Sequence, residues 1–454
     1  MRKGGYREVL KIAFPLILST GSWSLQHFID RVFLTWYSPE AIAAAMPASL
    51  ANWTLVSLLM GTAAYVNTFV AQYYGAGQPE RIGAAVWQGI YLAGFAVIEM
   101  ALIYPFSDFI FAHLGHTPAV ARLEANYFKI LLWGAPFVVI ANAISGFFSG
   151  RGKTWIVMWI NFAGTAVNIA VDYLLIFGKW GFPEMGISGA GVATVLSAAV
   201  VAILFFVSMM RPRYQRLFGT LKNCKPDSKI FRRLLRYGLP SGLQFMLDIL
   251  TFTLFIILVG HIGMRELAAS NIAFNINTLA FLPMMGLSIA ISTLVGQRLG
   301  ENQPNLAERS AWSGFHLSFG YFGLLAFGYF FFPGLFLWPF KLSGRGPEFQ
   351  AIQEMSILLL RFIAIYSLFD AANMSFAGAL KGAGDTRFVA GLSVALGWSL
   401  MLIPGYIALK FFGSNVYWLW GFVTLYIAFL GIALLLRFRH GLWKKMRVIE
   451  SQAG

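Results

Sequence analysis

Four carboxylates lie inside apolar stretches of the chain: Asp30, Asp172, Asp248 and Asp370. Each stretch is long enough to cross a lipid bilayer, where an ionised carboxylate costs about 2.5–3.5 kcal/mol on insertion scales. Acidic residues within membrane spans are usually functional, and they mark substrate or ion pathways in membrane proteins. Four acids in four different stretches therefore predict a protein that takes up and releases cations within the membrane.

Two of these acids have a polar neighbour at helical spacing. Asn168 lies four residues before Asp172, and Tyr366 lies four residues before Asp370, so each pair shares one face of a helix. Carboxylate and amide oxygens suit a hard cation or a proton, and a tyrosine ring or hydroxyl also contacts cations. With the remaining acid of each half, the pairs predict one site in the first half and one in the second. The alternative is that these acids make static hydrogen bonds between helices.

The composition is that of a membrane protein. Of 454 residues, 58% are hydrophobic and 12% are charged, whereas soluble domains carry about 25% charged residues. The mean hydropathy is +0.67. So much apolar surface cannot be buried in a water-soluble core, and membrane lipid must be its solvent. The single cysteine, Cys224, excludes an internal disulfide and a metal site built from several cysteines.

Twelve apolar stretches each exceed the ~20 residues that a spanning helix needs. The sequence therefore predicts an all-α integral membrane protein with twelve transmembrane helices in two pseudo-symmetric six-helix lobes. Prolines 15, 136, 240, 283 and 404 lie within these stretches and can kink their helices. The stretches lie at about 10–36, 47–74, 83–112, 119–149, 155–177, 187–210, 234–262, 266–297, 308–338, 350–380, 387–412 and 416–437.

The basic residues predict the orientation of the chain. A net charge of +15 would suggest a nucleic-acid partner for a soluble protein. Here most of the 34 Lys and Arg residues gather near the N-terminus, between residues 211 and 236, near the C-terminus and in alternate short loops. The positive-inside rule places both termini in the cytoplasm, for a multi-pass protein of the inner or plasma membrane. We expect no nucleic-acid partner and infer no obligate protein partner.

An internal repeat divides the chain into two parallel halves. Residues 70–79 (VAQYYGAGQP) are echoed by residues 295–304 (VGQRLGENQP). Residues 146–154 (GFFSGRGKT) are echoed by residues 378–386 (GALKGAGDT) at nearly the same offset. Parallel repeats are typical of transporters. We therefore expect an N-terminal lobe at 1–210, a basic cytoplasmic linker at 211–233, a C-terminal lobe at 234–437 and a basic cytoplasmic tail at 438–454.

The acids do not superpose under this repeat. Asp30 aligns with Phe255, and Asp248 aligns with Trp23. The halves are therefore expected to share a scaffold but not a site. Glu99, in the third apolar stretch, is equally compatible with a site role and a structural role.

Sequence motifs of enzymes are not supported by their context. Residues 382–385 have the GxGD spelling of an intramembrane aspartyl protease, but Lys381 and Arg387 flank them at an inner loop of the repeat, as expected of a turn. The sequence has no P-loop motif, so it gives no support for transport driven directly by ATP hydrolysis. Its histidines do not have the HExxH spacing of a zinc site. We expect neither an enzyme nor a cofactor. An intramembrane enzyme that uses a carboxylate pair stays as an alternative.

The order and spacing of these motifs resemble the multidrug and toxic compound extrusion (MATE) transporters, particularly their NorM-like branch. Residues 28–30 (FID), preceded by Pro15, resemble the acidic motif of the family's first helix. The echoed loops at 70–75 and 295–300 resemble its paired loop motifs. Asn168 with Asp172 matches its fifth-helix pair, and residues 366–370 with Asp248 resemble the second-half cation site of the NorM branch.

The resemblance implies a V-shaped, two-lobed bundle of twelve helices that exports bulky organic cations in exchange for inward Na⁺ or H⁺. It implies that Pro15 is a conformational bend. The residues that it assigns to the cation or proton site of the first lobe are Asp30, Asn168, Asp172 and Thr194, and those of the second lobe are Asp248, Tyr366 and Asp370. The candidate Na⁺ ligands are Asp30, Asn168 and Asp172 in the first lobe, or Asp248 and Asp370 in the second.

Two departures from the NorM pattern concern the coupling ion. Position 248 is Asp where the pattern has Glu, which shortens the reach of the side chain by one methylene. Arg31 and residues 36–39 (WYSP) replace the usual polar and glycine-rich sequence after the first-helix acid. Both departures bear on which ion is coupled and in what ratio.

The mechanism expected of such a protein is alternating access. Carboxylates that bind both the drug and the coupling ion give exchange its physical basis, because the two compete for the same negative charge. The alternative function is a flippase for a lipid-linked sugar or another amphiphile on a related fold. An anionic pyrophosphate cargo favours basic residues in the cleft, whereas the ionisable residues of these apolar stretches are mainly acidic.

Overall fold

The computed structural model describes residues 3–341, 347–411, 413 and 415–450. These residues are almost entirely helical and contain no strand, which confirms the predicted all-α fold class. The α-helices in chain order are α1 (Tyr6–Tyr37), α2 (Pro39–Ala64), α3 (Val66–Gly75), α4 (Pro79–Ile103), α5 (Ser107–Ala112), α6 (Pro118–Leu132), α7 (Ala135–Ser149), α8 (Thr154–Phe177), α9 (Ile187–Met209), α10 (Pro212–Phe218), α11 (Ser228–Gly260), α12 (Met264–Gly300), α13 (Pro304–Phe331), α14 (Pro333–Lys341), α15 (Pro347–Ala383), α16 (Thr386–Leu396), α17 (Ile403–Phe411) and α18 (Val416–His440).

By length and composition, these helices account for eleven of the twelve predicted membrane spans. Within the described residues, 10 helices are long and apolar enough to cross a membrane, and the bent pair α6–α7 brings the number to 11. Helix α1 is long enough at 32 residues, but it carries many polar side chains and is not among them. The predicted stretch at 10–36 is thus a long helix of mixed polarity, and α1 is the helix that carries Asp30.

Two of the predicted proline kinks have a clear structural form. At Pro136, the axes of α6 and α7 differ by 42° across the break at residues 133–134. Before Pro404, the six residues Gly397–Leu402 form a π-helical turn between α16 and α17. Proline lacks a backbone N–H and its ring collides with the carbonyl four residues earlier, so the helix widens at that position. By contrast, α1 continues without a break through Pro15.

The chain forms two compact units. The first contains residues 18–246, together with 300–302 and the C-terminal segment from Arg447; the second contains residues up to Ile17, 247–299 and 303–446. Helices α1 and α11 therefore each contribute to both units, and each carries a proline before the residue at which it passes from one unit to the other.

Each unit contains the same close helix contact. In the first unit, a Cβ atom added to Gly150, which directly follows α7, would lie 2.6 Å from the carbonyl oxygen of Asn67. In the second unit, a Cβ atom added to Gly382 of α15 would lie 2.5 Å from the carbonyl oxygen of Ser292. These pairs are equivalent under the sequence repeat. Only glycine lets the two helix backbones approach so closely, so the repeat encodes a shared packing contact.

A buried arginine attaches the linker helix α10 to the first unit. The Arg151 guanidinium lies 3.7 Å from the ring centroid of Phe147, 4.7 Å from Tyr214 and 4.5 Å from Phe218. Its Nε donates to the Phe147 carbonyl at 2.7 Å. Burial among these rings lowers the pKa of Arg151 to about 10, which still leaves it charged at neutral pH. Cation–π contacts with two residues of α10 therefore fix the start of the linker.

Candidate functional site

In the first unit, hydrogen bonds between α1 and α8 place the predicted acids. Asn161 Nδ2 donates to Ser19 Oγ at 2.6 Å, and Thr165 Oγ1 donates to the Ser22 carbonyl at 3.4 Å. Helix α9 supports α8 from another side, where Ser197 Oγ donates to a carbonyl of α8 at 2.8 Å. Residues 161, 165, 168 and 172 share one face of α8. The same face that contacts α1 at Ser19 therefore carries Asn168 and Asp172 towards Asp30.

The predicted residues Asp30, Asn168 and Asp172 come together in this unit. All three are buried, with exposed fractions of 8%, 0% and 0%. With its amide nitrogen facing the acids, Asn168 donates to Asp30 Oδ1 at 2.9 Å and to Asp172 Oδ2 at 3.2 Å. The two carboxyl groups also interact electrostatically with each other. Two buried carboxyl groups that share one amide donor favour a state in which one of them carries a proton, because two ionised acceptors repel.

Two further side chains lie near this acid pair and were not identified from the sequence. Tyr127 of α6 is buried and interacts electrostatically with both carboxylates. His27 Nδ1 lies 4.0 Å from Asp30 Oδ2, one turn earlier on α1. The spacing of His27 and Asp30 could have revealed that pair, whereas a lone tyrosine in an apolar stretch gives no such signal. Arg31 is exposed on α1.

The remaining first-half candidates are placed differently. The Thr194 hydroxyl donates to the Ala190 carbonyl of its own helix at 3.0 Å, and none of its described hydrogen bonds reaches the acid pair. Glu99 is half-buried on α4, and its Oε2 atom has no hydrogen-bond partner within the described part of the chain. The role of Thr194 therefore remains a prediction.

In the second unit, Asp248 lies in a cluster that four helices build. Ser393 Oγ of α16 donates to Asp248 Oδ1 of α11 at 2.7 Å and lies 3.3 Å from the Tyr426 hydroxyl of α18. Tyr426 interacts electrostatically with Asp248 and with Asp370 of α15. The predicted acids Asp248 and Asp370 therefore share one neighbourhood around this tyrosine. Ser393 precedes the π-helical turn by one helical turn, and such turns are frequent at functional sites.

Asp370 has its own partners. Its carboxylate is 5% exposed, and Oδ1 accepts a hydrogen bond from Asn373 Nδ2 at 3.3 Å. Tyr366, one turn earlier on α15, is 1% exposed and interacts electrostatically with Asp370, as the predicted pairing requires. The spacing of 366 and 370 thus identified two buried neighbours, whereas Asn373 was not recognised.

A basic residue also reaches this second cluster. Lys381, three turns beyond Asp370 on α15, interacts electrostatically with Asp248. From the sequence, Lys381 was expected only to flank the turn at 382–385. That turn is confirmed, because Gly384 has a φ of +110° and Asp385 accepts a hydrogen bond from Arg437 Nε at 2.8 Å. The GxGD aspartate is therefore paired with an arginine and does not form a carboxylate dyad.

The described residues contain no group of three or more His, Cys, Asp or Glu side chains that could hold a metal ion. Any Na⁺ bound to these clusters would thus rely on carboxylates supplemented by amide, hydroxyl and carbonyl oxygens. The first cluster offers two acids and an amide. The second offers two acids, two tyrosines, a serine and a nearby ammonium group.

Known structures share the fold of this chain. A MATE-family multidrug-resistance transporter of the MOP superfamily, solved in an outward-facing conformation, has a TM-score of 0.87 at 20% identity, with 97% of each chain covered. A MOP-superfamily transporter from Pyrococcus furiosus, described as having a binding pocket of reverse polarity, has a TM-score of 0.84 at 20% identity and the same coverage. The eukaryotic MATE transporter AtDTX14 has a TM-score of 0.85 at 18% identity, covering 97% of this chain and 96% of its own.

The sequence profile of the MatE family matches residues 15–174 and 240–407. The two matched segments contain the acids of both clusters and most of both halves of the repeat. The match is to a family of transporters and not to a family of enzymes. The chain belongs to the MATE family of multi-pass membrane transporters.

Proposed function

We propose that this protein is a cation-coupled antiporter that exports bulky, mainly cationic organic compounds by alternating access. The coupling ion is H⁺ or Na⁺, taken up as the compound leaves. The protein lies in the inner or plasma membrane with both termini in the cytoplasm, and it belongs to the NorM-like branch of the family. Its basic termini and linker support this orientation, because positively charged loops remain on the cytoplasmic side.

The observation that carries the proposal is the acid pair of the first unit. Asn168 donates to both Asp30 and Asp172 in a buried site, and we infer that this acid pair holds one proton. A second negative charge appears only when that proton leaves. Proton loss therefore turns the site from a neutral hydrogen-bonded group into an anionic one that attracts an organic cation.

Exchange follows from competition for that charge. When the site takes up H⁺ or Na⁺ from outside, its hold on the organic cation weakens and the cation is released. When the ion leaves to the cytoplasm, the site regains its charge and binds a new cation. A shared carboxylate is thus sufficient to link the two fluxes, since the two ligands cannot both be bound tightly.

The second cluster supports recognition of organic cations. Tyr366 and Tyr426 place aromatic faces and hydroxyl groups beside Asp248 and Asp370. Aromatic rings contact cations through their negative faces, and carboxylates attract them at longer range. Such contacts are not specific for one ligand shape, which agrees with transport of several compounds.

Efflux of ethidium from proteoliposomes that contain the purified protein tests this function. A pH gradient and a Na⁺ gradient are imposed separately, with Asp30→Asn and Asp370→Asn beside the wild type. Transport driven by one gradient and lost in a variant would establish antiport and identify the ion. If folded wild-type protein moves ethidium under neither gradient, the proposal fails and a flippase for amphiphiles becomes the better account.

A further inference from the structure

The first unit contains a fully buried carboxylate that lies outside the acid pair and has no part in the function proposed above. Glu124 of α6 is 0% exposed, and its Oε1 atom hydrogen-bonds His116 Nδ1 at 2.8 Å. Its Oε2 atom has no hydrogen-bond partner within the described part of the chain. A buried carboxylate oxygen without a donor loses its hydration and receives no compensation, so this position calls for a functional reason.

His116 connects this carboxylate to the surface of the unit. Its side chain is 41% exposed, in the loop between α5 and α6. Glu124 occupies Nδ1, which leaves Nε2 as the ring nitrogen that exchanges protons with water. Phe111, at the end of α5, belongs to one core cluster with Leu34 of α1 and Ala41 of α2. The loop therefore lies at the end of the unit where α1 passes into α2, which is the outer end in the orientation proposed above.

His116 has little competition for Glu124 from other charged groups. Helices α2, α5 and α9 pack against α6, and α9 carries no titratable side chain. Among the described residues, His116 is the titratable group that interacts electrostatically with Glu124. Apart from Tyr127, the other titratable side chains of α2, α5 and α6 are exposed (Glu40 and Arg122) or paired with each other (Asp108 and Lys129).

Tyr127 connects Glu124 to the acid pair. It follows Glu124 by three residues on α6, so the two side chains share one face and their Cβ atoms are about 5–6 Å apart. Tyr127 is buried and interacts electrostatically with Asp30 and Asp172. A hydroxyl group accepts a proton from one neighbour while it gives its own to another, because it is both donor and acceptor. Polar groups therefore lead from the exposed His116 to the acid pair within one unit.

We propose that Glu124 is the proton-entry residue of the first unit and that His116 delivers protons to it from the outer side of the membrane. The proposal rests on the function proposed above, with H⁺ as the coupling ion. Chains of histidine and acidic residues carry protons in this way through membrane proteins.

The transfer balances in three steps. Water outside gives a proton to His116 Nε2, and the Nδ1 proton passes to Glu124 Oε1, which leaves a neutral imidazole and a neutral carboxyl group. The Glu124 proton then moves through the Tyr127 hydroxyl to an ionised carboxylate of the acid pair, and Glu124 is again a carboxylate. Rotation of the imidazole, or proton exchange with water, restores its first tautomer. The net result is one proton moved from the outer side to the acid pair.

Glu124→Gln separates proton transfer from packing, because the amide keeps the shape and can hydrogen-bond His116 but cannot take up and release a proton. Ethidium efflux driven by a pH gradient in proteoliposomes should fall at least about tenfold. The affinity for ethidium and the melting temperature should stay at their wild-type values. Glu40→Gln is the matched control, because it neutralises an exposed acid on α2 and should leave efflux unchanged. Wild-type efflux in Glu124→Gln at every external pH would overturn the proposal.

Chemical rescue tests the part of His116. His116→Ala should slow efflux, and external imidazole should restore it, at a concentration that leaves wild-type efflux unchanged, because a diffusible base can then carry protons to Glu124. Imidazole should not restore the double variant His116→Ala/Glu124→Gln. His113→Ala is the control, since this exposed histidine of the same loop bonds the Phe109 carbonyl. A slowed rate that imidazole does not restore would make His116 a structural residue of the loop and overturn its role in proton delivery.

Proton uptake after a rapid fall in pH, recorded with an indicator dye on the purified protein, does not depend on transport. It should be slower in Glu124→Gln than in the wild type and unchanged in Glu40→Gln. If the wild type moves ethidium under neither gradient, the transport function fails, and slow uptake in Glu124→Gln would still support the entry path. Equally fast uptake in Glu124→Gln, or efflux driven by Na⁺ alone, would overturn the entry path and leave export in place.

Discussion

The acid clusters of the two units differ in how their charge is handled. In the first unit, Asp30 and Asp172 both accept hydrogen bonds from Asn168 and lie beside each other, and the proposed function places one proton between them. In the second unit, Asp248 and Asp370 are bonded to separate donors, Ser393 and Asn373, with an ammonium group nearby. The first arrangement suits proton exchange, and the second suits attraction of a larger cation.

This difference shows what an internal repeat does and does not preserve. The contacts of Gly150 and Gly382 with the neighbouring helix are nearly identical in the two units. They are fixed by backbone geometry, which permits only glycine. The polar side chains face less stringent packing requirements, so the two halves have kept one scaffold and carry different sites.

The largest effect is expected where the acids are paired. Asp172→Asn leaves Asp30 without a partner for the shared proton, so the site can no longer alternate between neutral and anionic forms. Ethidium efflux driven by the ion gradient should fall at least about tenfold, as expected when a buried charge pair is disrupted. The measurement is initial efflux rate in proteoliposomes at matched protein content.

Asp108→Asn is the control for that variant. Asp108 is an exposed acid whose side chain is 71% accessible and pairs with Lys129, and surface pairs of this kind contribute little. Wild-type efflux in both variants would remove the basis for assigning exchange to the first cluster.

The shared scaffold is tested by the two glycines. Gly150→Ala and Gly382→Ala each push a methyl group against a backbone carbonyl, and overpacking of this kind costs about 1–3 kcal/mol. Both should lower the melting temperature of the detergent-solubilised protein by similar amounts. Gly391→Ala, which has no atom within 4 Å of the added Cβ, should not lower it. A loss of stability in only one of the two variants would mean that the units do not share this contact.

The ammonium group of the second cluster should affect affinity more than coupling. Lys381→Gln removes a positive charge that competes for Asp248, so the KM for ethidium should fall roughly fivefold, or ~1 kcal/mol. The ion that drives efflux should be unchanged. Arg387→Gln removes an exposed charge nearby and serves as the control. A KM that rises in Lys381→Gln would instead assign the lysine a structural role.

The smallest effects compare two hydroxyl groups. Ser393→Ala removes a donor to Asp248 and should weaken ethidium binding about fivefold, as expected for one hydrogen bond to a charged group. Thr194→Val removes a hydroxyl that bonds its own helix, so binding and coupling should change less than about twofold. Isothermal titration of ethidium into the purified variants measures binding, and efflux from proteoliposomes under the ion gradient measures coupling. An equal or larger loss in Thr194→Val would place this threonine in the first site.

Part of this architecture could be predicted from the sequence because it depends on local patterns. Apolar stretches give the helices, and the spacing of Asn168 with Asp172 and of Tyr366 with Asp370 gives the faces that meet. The bend at Pro136 follows from the chemistry of proline. These features need no knowledge of which helices are neighbours.

The rest depends on tertiary contacts that no local pattern encodes. Ser393 and Tyr426 are isolated polar residues in apolar helices, and only the packing of α11, α16 and α18 brings them to Asp248. Lys381 was taken as a marker of an inner loop because its charge matched that position. The tail segment at 447–450 resembled a solvated basic end, since its partners lie more than two hundred residues away in sequence.

Proton release on ligand binding tests the central claim most directly. Ethidium is added to the purified protein in weakly buffered, Na⁺-free solution while a pH indicator records protons, with Asp172→Asn as the comparison. Competition for the Asp30–Asp172 pair predicts that wild-type protein releases a proton for each ethidium bound and that the variant releases none. Ethidium binding without proton release in the wild type, or equal release from Asp172→Asn, would contradict the account.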